Sequence, residues 1–212
     1  MKMSGNLRRL IGYLLGGLIL VLLFLMGLSV FLPHEEEALP AEMGEKTRAY
    51  LTAYTWHDNT PPGSSLIAFP KSAGYPTLHE QAGGVGSWED PITLAVGWTF
   101  ENGTSTPDFA PGTRFYIPNL RRYFIVEDLC GDLVNGLPQT TPCHLLTSEA
   151  AATGAEIWLD LWIEGAGTSA EVADQCARAV TGAFTVIKDP RADLPTVAEP
   201  VLTQSGCARQ FG

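Results

Sequence analysis

Residues Glu156–Glu164 read EIWLDLWIE. As a β-strand, this stretch sends Ile157, Leu159, Leu161 and Ile163 to one face, and Glu156, Trp158, Asp160, Trp162 and Glu164 to the other. A carboxylate between two indoles on a face that is not the core is costly unless something uses it. Flat aromatic rings supply stacking area with a polar edge, which suits a sugar ring. A carboxyl group held against tryptophan also tends toward a raised pKa, as a general acid requires. The alternative is that both indoles pack beneath a loop while Asp160 accepts backbone amides.

Two further carboxylates follow aromatic strands. In Tyr123–Asp128, YFIVED, the residues Phe124, Val126 and Asp128 share a face, so Asp128 ends an apolar row. It either enters a cleft at the strand end or caps the turn into Cys130-Gly131. Glu127 points the other way and is expected in solvent. In Tyr54-Thr55-Trp56-His57-Asp58, the residues Tyr54, Trp56 and Asp58 share a parity, and His57 either orients a carboxylate or fills space. The catalytic candidates are therefore Asp160, Asp128 and Asp58, and the ring-stacking candidates are Trp158, Trp162, Tyr54 and Trp56. Other chemistries find little footing. His79-Glu80 lacks the second histidine of HExxH, and no CxxC or HxxxH spacing occurs, so no metal is expected. Gly83-Gly84-Val85-Gly86 is neither a Walker loop nor GxGxxG, so neither a nucleotide nor another cofactor is expected. No GxSxG elbow is present.

These candidates need a scaffold of short strands with turn punctuation. The pattern predicts strands over Arg48–Trp56, Leu66–Phe69, Ile92–Val96, Arg114–Ile117, Tyr123–Glu127, Glu156–Ile163 and Phe184–Ile187, with a glycine-rich loop over Pro70–Asp90. One helix is signalled by a capping box, Thr168-Ser169-Ala170-Glu171, followed by an apolar stripe of Val172, Ala173, Cys176, Ala179 and Val180, with Gly182 to close it. Several short strands with one helix suggest a small mostly-β barrel. The four cysteines suggest two disulfides, and loop length favours Cys130–Cys143 and Cys176–Cys207.

Charge and hydropathy divide the 212 residues unevenly. Leu10–Leu32 contains no charged residue and, as a helix, is long enough to cross a bilayer of about 30 Å. Lys2, Arg8 and Arg9 precede it and acids follow, so the N-terminus is expected in the cytoplasm and the body outside. No small-x-small cleavage site follows, which predicts an uncleaved signal anchor. Those three cations aside, ten Lys and Arg face 23 Asp and Glu after residue 33, a net charge of −13. Such a surface excludes nucleic-acid binding and suits neither anionic polymers nor lipid. The expected organisation is a cytoplasmic segment 1–9, a transmembrane anchor 10–32, an acidic linker 33–46, a barrel domain 47–188, and a tail 189–212 tied back by Cys207. Asn102-Gly103-Thr104 matches a glycosylation acceptor, which matters only in a eukaryotic secretory host.

Three segments carry a resemblance. Pro111-Gly112-Thr113-Arg114-Phe115-Tyr116-Ile117, then Phe124-Ile125-Val126-Glu127-Asp128, then Leu159-Asp160-Leu161-Trp162, together resemble the "3D" domain. That domain, named for three aspartates, is similar to the double-psi β-barrel of membrane-bound lytic transglycosylases of the A type. Expansins and some endoglucanases share the barrel, and Tyr54-x-Trp56-x-Asp58 and Leu159-Asp160-Leu161 resemble the catalytic segments of the latter. The resemblance covers roughly 48–188. It implies a six-stranded double-psi-like barrel acting on a cell-wall polysaccharide, with Asp160 as general acid and Asp128 or Asp58 as its partner. Two departures stand out. An insertion carrying Cys130 and Cys143 separates Asp128 from Asp160, and the third aspartate has only Asp90 and Asp108 as candidates. The competing expectations are an expansin-like module that binds glycan or protein without cutting, and a secreted protein-binding domain that makes contact through residues 71–90.

Overall fold

The computed structural model describes residues 44–131 and 142–207. The expected segments 1–9 and 10–32, and most of the 33–46 linker, lie outside the described residues. Among the described residues no helix is long and apolar enough to cross a membrane.

The chain is mostly β. In order it forms β1 (Glu45–Tyr54), β2 (Ile92–Val96), β3 (Trp98–Glu101), β4 (Thr104–Pro107), β5 (Arg114–Ile117), β6 (Arg122–Leu129), α1 (Ser148–Ala152), β7 (Ile157–Trp162), α2 (Ala170–Val180), β8 (Gly182–Lys188), β9 (Leu202–Thr203) and β10 (Gly206–Cys207). Six of the strands close a barrel in the order β1-β7-β2-β6-β5-β8. All six were legible as apolar or alternating runs bounded by turn residues. Leu66–Phe69 is not a strand. A closed barrel has no free edge for it, and its backbone is met elsewhere: Asn59 Nδ2 donates to Leu66 O, Ala68 N to Asp128 Oδ1 and Phe69 N to Glu127 O. The β3–β4 hairpin escaped the strand reading although its Asn102-Gly103 turn, with φ of 52° and 82°, is the strongest short hairpin signal.

The topology contains a symmetry. β1 pairs parallel with β7, and β2 parallel with β6, while the other barrel neighbours are antiparallel. Exchanging β1, β2, β5 for β6, β7, β8 leaves every neighbour relation unchanged. β1 and β2 flank β7, and β6 and β7 flank β2, so neither pair is adjacent in the barrel, and two long connections, 55–91 and 130–156, join them.

Leu51, Leu94, Val96, Phe115, Phe124, Val126, Leu159 and Leu161 belong to the buried core. The helix α2 lays Ala173, Cys176 and Val180 on the same core and leaves Val172 outside. Its N-cap is Ser169, one residue later than the capping box suggests, and it ends at an extended Thr181 while Gly182 opens β8. Both disulfides form as expected, Cys130–Cys143 and Cys176–Cys207. The tail is bound to the start of β6: Arg122 donates to Glu199 O and Pro200 O, and Tyr123 Oη to Arg191 O.

Candidate functional site

The parallel register of β1 and β7 places Tyr50 beside Trp158, Thr52 beside Asp160 and Tyr54 beside Trp162. Leu51, Leu159 and Leu161 alternate with them and enter the core, so this polar and aromatic ladder faces outward. Each aromatic pair meets edge to face, at 5.5 Å for Tyr50–Trp158 and 5.2 Å for Tyr54–Trp162. Between them, Thr52 Oγ1 donates to Asp160 Oδ1 at 2.6 Å and accepts from Trp158 Nε1 at 2.8 Å. A relay of indole, hydroxyl and carboxyl results. Burial pushes the Asp160 carboxyl up to about 7; the Thr52 hydrogen bond opposes this, and the nearby Asp58 and Asp128 reinforce it. Near neutral pH, Asp160 therefore divides between acid and base, as a proton-transfer group requires.

Asp128 is 7% exposed and accepts from Tyr54 Oη, Ala68 N and Leu129 N, each at 2.9 Å. Burial raises it to about 6 despite those three donors, with Glu127 adding to the rise. Tyr54 is itself held well above its usual range by burial and by Asp128. Asp58 is exposed and accepts from Thr55 N and Oγ1, both at 2.7 Å, so it caps the turn after β1. Asp160, Asp58 and Tyr54 line one cavity of about 280 Å³ with Asn59, Thr60 and Cys130. Asp128 does not line it, but bonds to Tyr54, which does.

The four aromatic candidates part company. Trp158 is half-buried and lines a neighbouring cavity of about 250 Å³ with Asp108, Phe109, Cys143 and His144. Its N–H is already spent on Thr52, which leaves the ring to offer. Trp162 is 2% exposed, packed on Tyr54, with Nε1 3.3 Å from Glu164 Oε2. It lines neither of these cavities but a separate one of about 160 Å³, with Gly84, Ile92, Glu164 and Val201. Trp56 packs over Gly63 and against His57, and lines neither of these cavities. His57 Nε2 lies 3.1 Å from both Gly165 O and Thr168 O, so it holds the β7–α2 turn and not a carboxylate.

Glu127 overturns its expectation outright. It is fully buried: Oε1 accepts from Leu78 N and His79 N, and Oε2 accepts from Thr93 Oγ1 and His79 Nδ1 at 2.7 Å each. His79 Nε2 in turn meets Asp90 Oδ1 at 2.8 Å. Burial alone would raise Glu127, but hydrogen bonds from His79, Leu78 N and Thr93 bring it below the ordinary carboxylate range. The same bond to Glu127 raises His79, against the opposing effect of burial. Simple alternation failed here because both faces of β6 are covered, and because the β2 register shifts between Leu94 and Ala95, leaving Glu127 as the bulged residue.

Among the described residues, the potential ligand atoms of Cys130, Cys143 and Asp160 lie within 4.8 Å of one another. The two sulfurs are bonded to each other and are not thiolate donors.

Residues 46–208 match the family model described as the DDB_G0273701 N-terminal domain, a range that takes in all of the barrel but the first residue of β1. A relative from Dictyostelium discoideum, the uncharacterized protein DDB_G0273701/DDB_G0273221, is 29% identical over 129 residues, which is 58% of this chain and 51% of the relative. The chain thus spans about half the length of the curated relative it matches. No solved structure matches.

Proposed function

The chain belongs to the DDB_G0273701 N-terminal domain family, and on that premise we propose that it is a membrane-anchored protein whose extracytoplasmic barrel acts on a cell-wall polysaccharide. The observation that carries the reading is Asp160: a carboxyl raised to about 7, held by a hydroxyl–indole relay, opening on a cavity beside the Trp158 ring. Asp160 gives its proton to the glycosidic oxygen of the bound chain. Asp58, exposed at the rim of the same cavity, stabilises the developing positive charge or activates water. Asp128 supports the site from behind, through Tyr54. Trp158 stacks on a sugar ring. A transglycosylase needs only Asp160, as acid and then base, because the sugar's own hydroxyl attacks.

The pseudo-twofold strand order of a closed six-stranded barrel with two parallel pairs supports the double-psi type. Two disulfides support the oxidising, extracytoplasmic side, with Leu10–Leu32 as the anchor. Among the described residues, the ionisable groups lining the Asp160 cavity are Tyr54 and the acids Asp58 and Asp160, with no Lys or Arg, which favours an uncharged glycan. The enclosure of Asp128 behind Tyr54 favours a second reading, an expansin-like module that binds glycan without cutting it.

Digestion of purified cell-wall glycan by the full chain in detergent micelles, with products read by mass spectrometry, separates the two. Anhydro-sugar or reducing-end products that vanish in a folded Asp160→Asn variant establish cleavage. Equal binding by wild type and variant, with no products from either, establishes the binding module and retires Asp160 as catalyst.

A further inference from the structure

Asp160 stands on the outer face of a barrel strand, where a carboxyl would ordinarily be wet. On its β2 side its register partner is Ala95. Ala95, Cys130 and Cys143 form a small buried cluster against which Tyr54 and Trp158 pack. Both sulfurs and a carboxylate oxygen of Asp160 lie within 4.8 Å of one another. Cys130 lines the Asp160 cavity, Cys143 lines the Trp158 cavity, and Cys130 N is fixed to Val96 O at 2.8 Å. The disulfide is thus the partition between the two cavities and one wall around the carboxyl.

We propose that the Cys130–Cys143 disulfide is a positioning element for Asp160: it keeps water from the carboxyl, and opening it with a dithiol disables Asp160 as a neutral-pH proton donor. The inference rests on the reading of Asp160 as that donor. A disulfide sulfur has no proton to give, so its contact removes water from the carboxyl without replacing the lost hydrogen bonds. The other groups facing Asp160 are Thr52 and Tyr54 of β1, Asp58 after it, Asp128 at the end of β6 and Trp158 of β7. None of these is cationic, so among the described residues no counter-charge competes with this effect. Reduction transfers two electrons and two protons from the dithiol to the sulfurs, which leave as two thiols while the dithiol closes to a cyclic disulfide. Thiols of ordinary pKa, about 8.5, stay mostly neutral at pH 7. The change at Asp160 is therefore one of solvation and not of charge.

The test is the carboxyl-carbon NMR titration of Asp160 in the full chain in micelles, with Asp160→Asn assigning the signal. Opening the bridge, by dithiothreitol or in Cys130→Ser/Cys143→Ser, is expected to lower the midpoint from about 7 by a unit or more, a tenfold or greater loss of proton affinity. Cys176→Ser/Cys207→Ser, which opens the other bridge, leaves the midpoint in place. Cys130→Ala/Cys143→Val keeps an apolar wall and keeps the raised midpoint; it also serves if the serine pair does not fold. An unmoved midpoint after reduction, or an equal fall on opening either bridge, overturns the proposal. A fall on opening the 130–143 bridge in a protein that neither binds nor cleaves glycan would uphold the wall and sink the glycan reading.

Discussion

The barrel has two parallel strand pairs, and each carries a threonine hydroxyl bonded to a carboxylate: Thr52 to Asp160 on β1 and β7, Thr93 to Glu127 on β2 and β6. The two sites share a motif and differ in charge. Glu127, though fully buried, is also met by His79 and two backbone amides, and it lies below the ordinary carboxylate range. Asp160 is raised to about 7 by burial, opposed by the Thr52 hydroxyl and reinforced by Asp58 and Asp128. Burial raises both carboxyls, and the partners around each decide whether that rise stands. A paired carboxylate makes an anchor, here pinning the 70–90 loop to β6. An unpaired one beside a cavity keeps a proton to give away.

Breaking either side gives different signatures. The largest effect is on activity: Asp160→Asn is expected to lower glycan cleavage by roughly 10²–10⁴-fold, the usual worth of a general acid, read as product per unit time. Next is the anchor. His79→Ala leaves Glu127 buried without its counter-charge and is expected to cost about 3–5 kcal/mol in denaturant unfolding. The pH dependence is specific. Glu127, lowered from 4.5, contributes fully above that value and loses its contribution as pH falls through its folded pKa. His79, raised from 6.5, contributes fully below that value and loses its contribution as pH rises through its own. The gap between wild type and His79→Ala is therefore widest from pH 4.5 to 6.5.

Asp160 has the opposite sign. Its folded pKa is raised from 3.8 to about 7, so its contribution is intact below 3.8 and lost as pH rises through 7. Asp160→Asn is expected to match wild-type stability near pH 4 and exceed it above pH 7 by about 1–3 kcal/mol, after allowance for partial exposure. Equal pH profiles for both proteins would show that Asp160 titrates normally and would erase the contrast with Glu127. Trp158→Ala should weaken glycan binding by about 1 kcal/mol, near fivefold, in calorimetry, whereas the enclosed Trp162 should affect folding first. Tyr54→Phe removes one of three donors to Asp128 and should cost about 1 kcal/mol of stability, with a further rise in the Asp128 pKa.

Much of this was written in the chain. The apolar runs named all six barrel strands, the alternation of EIWLDLWIE put Asp160 and Trp158 on the outer face, and loop length paired the cysteines. Those features are local: strand period and short-range closure depend on neighbours in sequence. Glu127, the enclosure of Trp162 and Leu66–Phe69 were not legible for one shared reason. Each depends on what lies across from it, namely His79 from a distant loop, Tyr54 from the neighbouring strand, and a barrel already closed to further strands. The sequence by itself determined which residues could be strands and which carboxylates stood among aromatics. The tertiary structure alone decided which carboxylate found a histidine and which found a disulfide. A side chain's charge state follows from the solvent and partners that remain around it, and those are assembled only when segments remote in sequence meet.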